Sequence, residues 1–253
     1  MPPFDQLQSL QDDFDVPAPA VSPSAFHLAV LRQRYDALDA EALLAVMLRE
    51  VFPGRIALVS SFGTEAAVLL DLVAAVDPAT PVVFLDTGQL FDQTLQYRDT
   101  LVSRLGLTDV RVQQPDARAL AEEDPEGQLW RTNPDRCCAL RKVAPLTPAL
   151  AGFDAWITGR KRFQGGARGV LSTIETDDDG RIKLNPLAGW SRARIEAHFA
   201  ARGLPRHPLE AQGYLSIGCL PCTDRVAPGE DARAGRWRGR SKTECGIHAA
   251  PQG

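Results

Sequence analysis

Apolar and polar positions change period along the chain, and each change marks a new element. Leu28, Val30 and Leu31, then Leu43, Leu44, Val46, Met47 and Val51, recur at helical spacing and predict one or two helices within 26–51. The run Arg55-Ile-Ala-Leu-Val-Ser-Ser-Phe is short and apolar, as a buried strand is, and Gly63-Thr64 ends it. Glu65 to Val76 returns to helical spacing. Pro81-Val-Val-Phe-Leu-Asp86 predicts a second strand, Phe91–Leu105 a helix, Val110–Val112 a third strand and Ala155–Thr158 a fourth. Asp177-Asp-Asp-Gly180 reads as a hairpin tip before Arg181–Leu184, and Ser191–Arg202 as a capped amphipathic helix. Strands alternating with helices predict an α/β fold with a parallel, doubly wound sheet. Ligands of such sheets bind beyond the carboxyl ends of the strands. Here those ends are Ser60–Thr64, Asp86–Gly88 and Thr158–Arg162.

The pattern fades at both ends. Residues 1–24 are rich in Pro, Ser and Asp and predict a flexible lead-in. A nucleotide-binding α/β domain is expected over 25–222, followed by a mobile C-terminal tail over 223–253. Composition narrows the classes. The 253 residues are 44% hydrophobic and 24% charged, ordinary for a globular chain large enough to bury a core. A net charge of −4 argues against nucleic acid as a partner. No apolar run has membrane-spanning length, and the first twenty residues lack the basic start and apolar stretch of a signal peptide. A cytoplasmic location follows as the default, and structural disulfides are not expected there.

Chemistry concentrates in a few segments. Ser60-Ser-Phe-Gly-Thr-Glu65 joins a strand to a helix, where backbone N–H groups and hydroxyls make an anion site; an ordinary helix cap is the plainer alternative. It lacks the Gly-Lys-Ser/Thr ending of a Walker loop. Five cysteines are present: Cys137, Cys138, Cys219, Cys222 and Cys245. The vicinal pair and the Cys-x-x-Cys together offer four thiolates. Zinc would draw paired sulfurs to about 3.8 Å apart, which is awkward for neighbours that point about 100° apart on a helix. A [4Fe–4S] cubane offers each sulfur its own iron and is favoured over zinc. Arg141 and Lys142 follow the pair at i+4, suited to a negatively charged cluster or, alternatively, simply solvated. Gly159-Arg-Lys-Arg-Phe-Gln-Gly-Gly-Ala-Arg168 suits phosphate or sulfate, and Arg233-Ala-Gly-Arg-Trp-Arg-Gly-Arg240 adds further cations. Cys245 stands alone among Lys242, His248 and the arginines, surroundings that activate a thiol as a nucleophile.

Together these segments resemble the bacterial sulfonucleotide reductases. The resemblance is carried by Ser60–Glu65, Asp86-Thr-Gly88, Cys137-Cys138-x-x-Arg141-Lys142, Gly159–Arg168, Gly218-Cys-x-x-Cys-Thr223, Gly235-Arg-Trp237 and Glu244-Cys-Gly-Ile-His248. It implies the adenine-nucleotide α-hydrolase (pyrophosphate-loop) fold and reduction of adenosine 5′-phosphosulfate (APS) to sulfite and AMP. It also implies a [4Fe–4S] cluster on Cys137, Cys138, Cys219 and Cys222, and S-sulfonation of Cys245 with discharge by thioredoxin or glutaredoxin. Ser60, Ser61, Gly63 and Thr64 are expected at the α-phosphate, and Asp86 and Gly88 near the nucleoside. Arg160, Lys161 and Arg168 are expected to neutralise phosphate or sulfate; Lys142, Arg233, Arg236 and His248 are expected to surround the sulfate. Reduction of the 3′-phosphorylated substrate PAPS, an ATP-using adenylyltransferase or thiolation enzyme of the same fold, and a non-enzymatic metal module remain as alternatives. The oligomeric state stays open, a homo-oligomer included.

Overall fold

The computed structural model describes residues 23–248, with side chains from His27 onward. Nearly all of the lead-in expected over 1–24, and the last five residues of the tail, lie outside the described residues. Six strands form one sheet: β1 (Ile56–Ser60), β2 (Val82–Leu85), β3 (Val110–Gln113), β4 (Ala155–Ile157), β5 (Ile174–Thr176) and β6 (Ile182–Leu184). Their spatial order is β3-β2-β1-β4-β6-β5, and every pair is parallel except the β5–β6 hairpin. The hairpin turns at Asp177–Gly180, where the Asp177 carboxylate accepts from the Asp179 and Arg181 amides.

The two-residue period of the strands sorts the core into two layers. Ile56, Leu58, Val82, Phe84, Ala155 and Ile157 face one side, against α1 (Pro23–Tyr35), α2 (Ala40–Val46), α3 (Ala66–Val76), α4 (Asp92–Leu105) and a later helix at Arg192–Arg202. Ala57, Val83, Leu85 and Trp156 face the other, with Leu146, Leu150 and Phe153. Each buried aliphatic side chain contributes about 1.5–3 kcal/mol. The large first layer therefore dominates stability, and the second is thin.

The helices end where their sequences say they should. Asp39 caps α2 by accepting from the Ala42 amide at 2.9 Å, and Gly106 closes α4 with a left-handed φ of 65°. Between β3 and β4 lie short helices α5 (Ala117–Glu123), α6 (Leu129–Thr132), α7 (Pro134–Cys138) and α8 (Ala144–Ala149). A π turn, Ala139–Val143, joins α7 to α8. The later helix Arg192–Arg202 is α9, capped by Ser191 and closed by Gly203 at φ 55°. Among the described residues no helix is long and apolar enough to cross a membrane.

Candidate functional site

The chain leaves β1 toward β2 and β3 on one side and returns to β4 on the other, so the strand order reverses between β1 and β4. Loops leaving two such strands diverge and open a crevice at their carboxyl ends. A cavity of about 200 Å³ lies there. Ser60, Ser61, Gly63 and Thr64 form one wall at the start of α3. Phe62 adopts a left-handed φ of 47°, and its fully buried ring meets Phe84 edge-on at 5.4 Å. A non-glycine residue in that region costs of order 1–3 kcal/mol, and burial of the phenyl group offsets it. The Thr64 hydroxyl is engaged, donating to the Leu215 carbonyl at 3.0 Å. Ser60 Oγ accepts from the Phe62 amide at 3.2 Å. Ser61 is exposed.

Opposite, the loop after β4 supplies Arg160, Lys161 and Arg168. All three face the cavity, yet each already has an acidic partner. Arg160 pairs with Glu175 on β5 and donates to Asn185 Oδ1 at 3.1 Å. Lys161 donates to Glu65 at 2.9 Å, which also accepts from Gln164. Arg168 grips Glu244 with two donors, one at 2.7 Å. Burial pushes the Lys161 ammonium down, against the pull of Glu65. Low-dielectric surroundings penalise unpaired charge, and each of these three cations has a carboxylate within reach.

The tail closes the cavity. Thr223 and Arg236 form a one-residue antiparallel bridge, and the Asp224 amide donates to the Gly235 carbonyl at 2.8 Å. Trp237 is buried behind it. Arg233, Arg236, Cys245, Ile247 and His248 all reach the cavity, as does Lys142 from the π turn. The segment expected to be a mobile tail is, through His248, laid against the core; Ile247 packs into the second core layer. A Cβ on Gly218 would overlap the Arg236 guanidinium, so only glycine lets that arginine lie flat there. Among the described residues Arg236 Nε is enclosed without a hydrogen-bond partner. Burial and the neighbouring Arg168 push Arg233 down to about 10. Burial would raise the Glu244 carboxyl, but Arg168 and Arg233 outweigh it and hold it low. His248 is driven well below its ordinary value by burial and by Arg160, Lys183, Arg168 and Arg233, so the ring is neutral. Among the described residues its Nδ1 is enclosed and has no hydrogen-bond partner.

Of the groups the sequence places around Cys245, Arg233, Arg236 and His248 line the cavity with it, and Lys242 does not. Lys242 is ion-paired with Asp135. Lys142, raised by Cys219, Cys245 and Cys138 against burial, comes from the core instead.

Cys137, Cys138, Cys219 and Cys222 line a second, adjoining cavity with Lys142, Arg141 and Trp237. None is in a disulfide. Among the described residues no group of three or more Cys, His, Asp or Glu side chains is arranged to hold a metal ion. Four thiols lining one cavity are the donor set that a thiolate-held metal group would use. Burial pushes Cys137 up to about 12 and raises Cys138 and Cys222. Burial would raise Cys219 too, but Lys142 and the Thr87 hydroxyl, 3.3 Å from its sulfur, bring it down. The π turn sends Arg141 and Lys142 different ways. Lys142 joins the two cavities, whereas Arg141 is pinned by Asp124 at 2.6 Å and by the Thr87 carbonyl at 2.8 Å.

Asp86 and Gly88 do not line the cavity at the strand ends; Leu85 and Thr87 do. The Asp86 carboxylate accepts from the Gly88 amide and from Gln114, and Gly88 takes φ 67°. Both residues shape the turn that presents Thr87. Sequence reasoning also missed the wall Leu215–Gly218, Phe163 and Arg192, and the acids Glu65, Glu175 and Glu244. Glu65, Phe163, Gly218 and Glu244 stand inside quoted motifs, which could have singled them out, whereas Leu215, Arg192 and Glu175 gave no such signal.

Residues 55–225 match the family described as "Phosphoadenosine phosphosulfate reductase domain". An adenosine 5′-phosphosulfate reductase of Mesorhizobium japonicum is 53% identical over 200 residues, 79% of this chain and 78% of the relative. One of Chelativorans sp. is 48% identical, covering 86% and 89%. A phosphoadenosine 5′-phosphosulfate reductase of Gloeobacter violaceus is 40% identical, covering 91% and 97%. Among solved structures, the PAPS reductase of Candida auris in its phosphate complex superposes with TM-score 0.67 at 26% identity, over 81% of this chain and 99% of that one. An FMN adenylyltransferase of Candida glabrata with ATP, at TM-score 0.52, 16% identity and coverage of 88% and 84%, shares the fold alone.

Proposed function

Since the chain belongs to the phosphoadenosine phosphosulfate reductase family, we propose that it reduces APS to sulfite and AMP in assimilatory sulfate reduction, with thioredoxin or glutaredoxin as electron donor. One observation carries the reading: Cys245 lines the same cavity as the Ser60–Thr64 loop and Lys142, and Lys142 also lines the four-cysteine cavity. The two most similar relatives described above, both adenosine 5′-phosphosulfate reductases, favour APS over its 3′-phosphorylated analogue.

Cys137, Cys138, Cys219 and Cys222 would hold a [4Fe–4S] cluster. When bound, the cluster supplies a concentrated negative charge beside Lys142. Everything else falls to the chain's own groups. The Ser60–Thr64 loop and the start of α3 orient the α-phosphate by hydrogen bonds and the helix dipole. Asp86 and Gly88 act through the turn that presents Thr87 rather than by touching the nucleoside. Lys142, Arg233, Arg236 and neutral His248 hold the sulfate oxygens, and Arg160, Lys161 and Arg168 complete the positive wall.

The Cys245 thiolate attacks the sulfate sulfur. A sulfur–sulfur bond forms, the sulfur–oxygen bond to the phosphate breaks, and AMP leaves with the electron pair. One thiolate of the reduced dithiol then attacks Cys245 Sγ, expelling sulfite with its electron pair. The second dithiol sulfur resolves the mixed disulfide, so the donor leaves oxidised and Cys245 is restored. With all other cysteines in the four-thiol cavity, Cys245 has no resolving partner of its own, which is why an external dithiol is needed. Glu65, the acid nearest a magnesium role in the loop, is tied to Lys161 and Gln164, which disfavours an ATP–magnesium reading.

The test compares sulfite release from APS and PAPS at equal concentration, with Cys245→Ser as control. The variant is expected to keep iron content, fold and AMP binding while losing turnover at least a thousandfold, because a serine hydroxyl is barely ionised at neutral pH. Mass analysis after APS without donor should find a sulfonate on the Cys245 peptide. Sulfite from Cys245→Ser, or label on another cysteine, would sink the assignment; faster sulfite release from PAPS would move the substrate to the 3′-phosphorylated analogue.

A further inference from the structure

Three carboxylates neutralise cations that line the cavity at the strand ends. Glu65 stands at the start of α3 and Glu175 on β5, both fixed by the core. Glu244 stands on the irregular tail, one residue before Cys245. Its carboxylate is gripped by Arg168 through two donors, and Arg233 lies 3.5 Å from Oε2 while donating to the Thr243 carbonyl at 2.7 Å. Arg168, Arg233 and Glu244 side chains are only 11–14% exposed.

A carboxylate and a tetrahedral oxyanion offer a guanidinium the same pair of parallel acceptors. Arg168 therefore binds one or the other through that edge, and placing both there crowds like charges in poorly screened surroundings. We infer that Glu244 is an internal competitor of the substrate's oxyanion for Arg168 and Arg233, a positioning residue that sets how tightly anions bind beside Cys245. The naming of that anion as a sulfonucleotide rests on the function proposed above; the competition itself does not. Anion binding and the seating of the Glu244–Cys245 segment are then linked through two guanidinium groups. An anion that takes Arg168 detaches the residue next to the nucleophile, and departure of AMP lets Glu244 re-neutralise the arginines and opposes product rebinding.

The experiment measures dissociation constants of AMP and, separately, of inorganic sulfate by calorimetry on the full-length, cluster-loaded protein. Glu244→Gln keeps the side-chain shape and removes the charge. It is expected to tighten at least one of the two anions about tenfold, the scale of one charge-assisted hydrogen bond. Which anion tightens tells whether the phosphate or the sulfate position is contested. In an Arg168→Ala background the same change should move affinity by less than twofold. Glu230→Gln, another tail acid, paired instead with exposed Arg238, should have no effect. Unchanged or weaker binding of both anions by Glu244→Gln, with normal visible absorbance and melting, would falsify the competition. Glu244→Ala decides the matter if the glutamine variant does not fold. If wild type releases no sulfite from APS but Glu244→Gln still tightens anion binding, the reductase reading fails and the competition stands.

Discussion

The imidazole of His248 lies parallel to the indole of Trp156, with ring centroids 6.0 Å apart and planes 5° from parallel. Trp156 is the central residue of β4, held by its Nε1–H, which donates to Asp177 Oδ2 at 2.8 Å. Lys183 Nζ sits 4.7 Å from the same ring. The last described residue of the tail is thus stacked on the sheet, and its amide donates to the Cys245 carbonyl at 3.0 Å.

Removing the ring should loosen the tail. An aromatic pair of this kind is worth about 0.5–1.5 kcal/mol, so His248→Ala should speed tryptic cleavage at exposed Arg238 and Arg240 roughly two- to tenfold. His248→Phe keeps the stack and loses the ring nitrogens. It should restore protease resistance without restoring kcat. Equal protease sensitivity of wild type and His248→Ala would show that the stack does not hold the tail.

The Asp124–Arg141 pair should be indispensable to the four-cysteine cavity. Its side chains are 3% and 7% exposed, and Arg141 also holds the Thr87 carbonyl. Breaking a buried pair strands a charge and costs about 3–5 kcal/mol. Asp124→Ala is therefore expected to lower denaturation stability by that amount and to reduce bound iron, since Thr87 lies against Cys219. Chemical denaturation and iron content check both; an effect below about 1 kcal/mol would mean that Arg141 finds another partner.

Acid sensitivity should centre on His207. Its Nδ1 accepts from the Leu209 amide at 3.2 Å and its Nε2 meets Thr94 at 3.1 Å, and burial pushes its pKa down to about 4. The unfolded chain takes up that proton near pH 6.5. Below this pH the unfolded state binds more protons than the folded one, so stability is full above about 6.5 and is lost progressively toward pH 4. His207→Asn offers an oxygen to the Leu209 amide but no titrating ring. The variant should be less stable at pH 7, yet should lose less between pH 7 and 4.5 than wild type. Parallel pH profiles for the two proteins would rule out this source of acid sensitivity.

What the chain dictates by itself is the local order and the inventory of reactive groups. The parallel strands were legible because β1, β2 and β4 are buried on both faces, so nearly every residue from Ile56 to Leu58 and Val82 to Leu85 is apolar. The strand-end loops and the five cysteines were legible because turn chemistry and thiol chemistry belong to residue types. Pairing of charges does not. Arg168 with Glu244, 76 positions apart, and Lys161 with Glu65, 96 apart, depend on which strands become neighbours, and no periodicity carries that. The same holds for Lys242 with Asp135, and for Thr87 rather than Asp86 or Gly88 lining the cavity. Arg160, Lys161 and Arg168 each take a carboxylate the fold brings within reach, because leaving such a charge unpaired in a half-buried cavity costs more than any local preference can offset. The sheet order and the seating of the tail were therefore decided by tertiary structure alone.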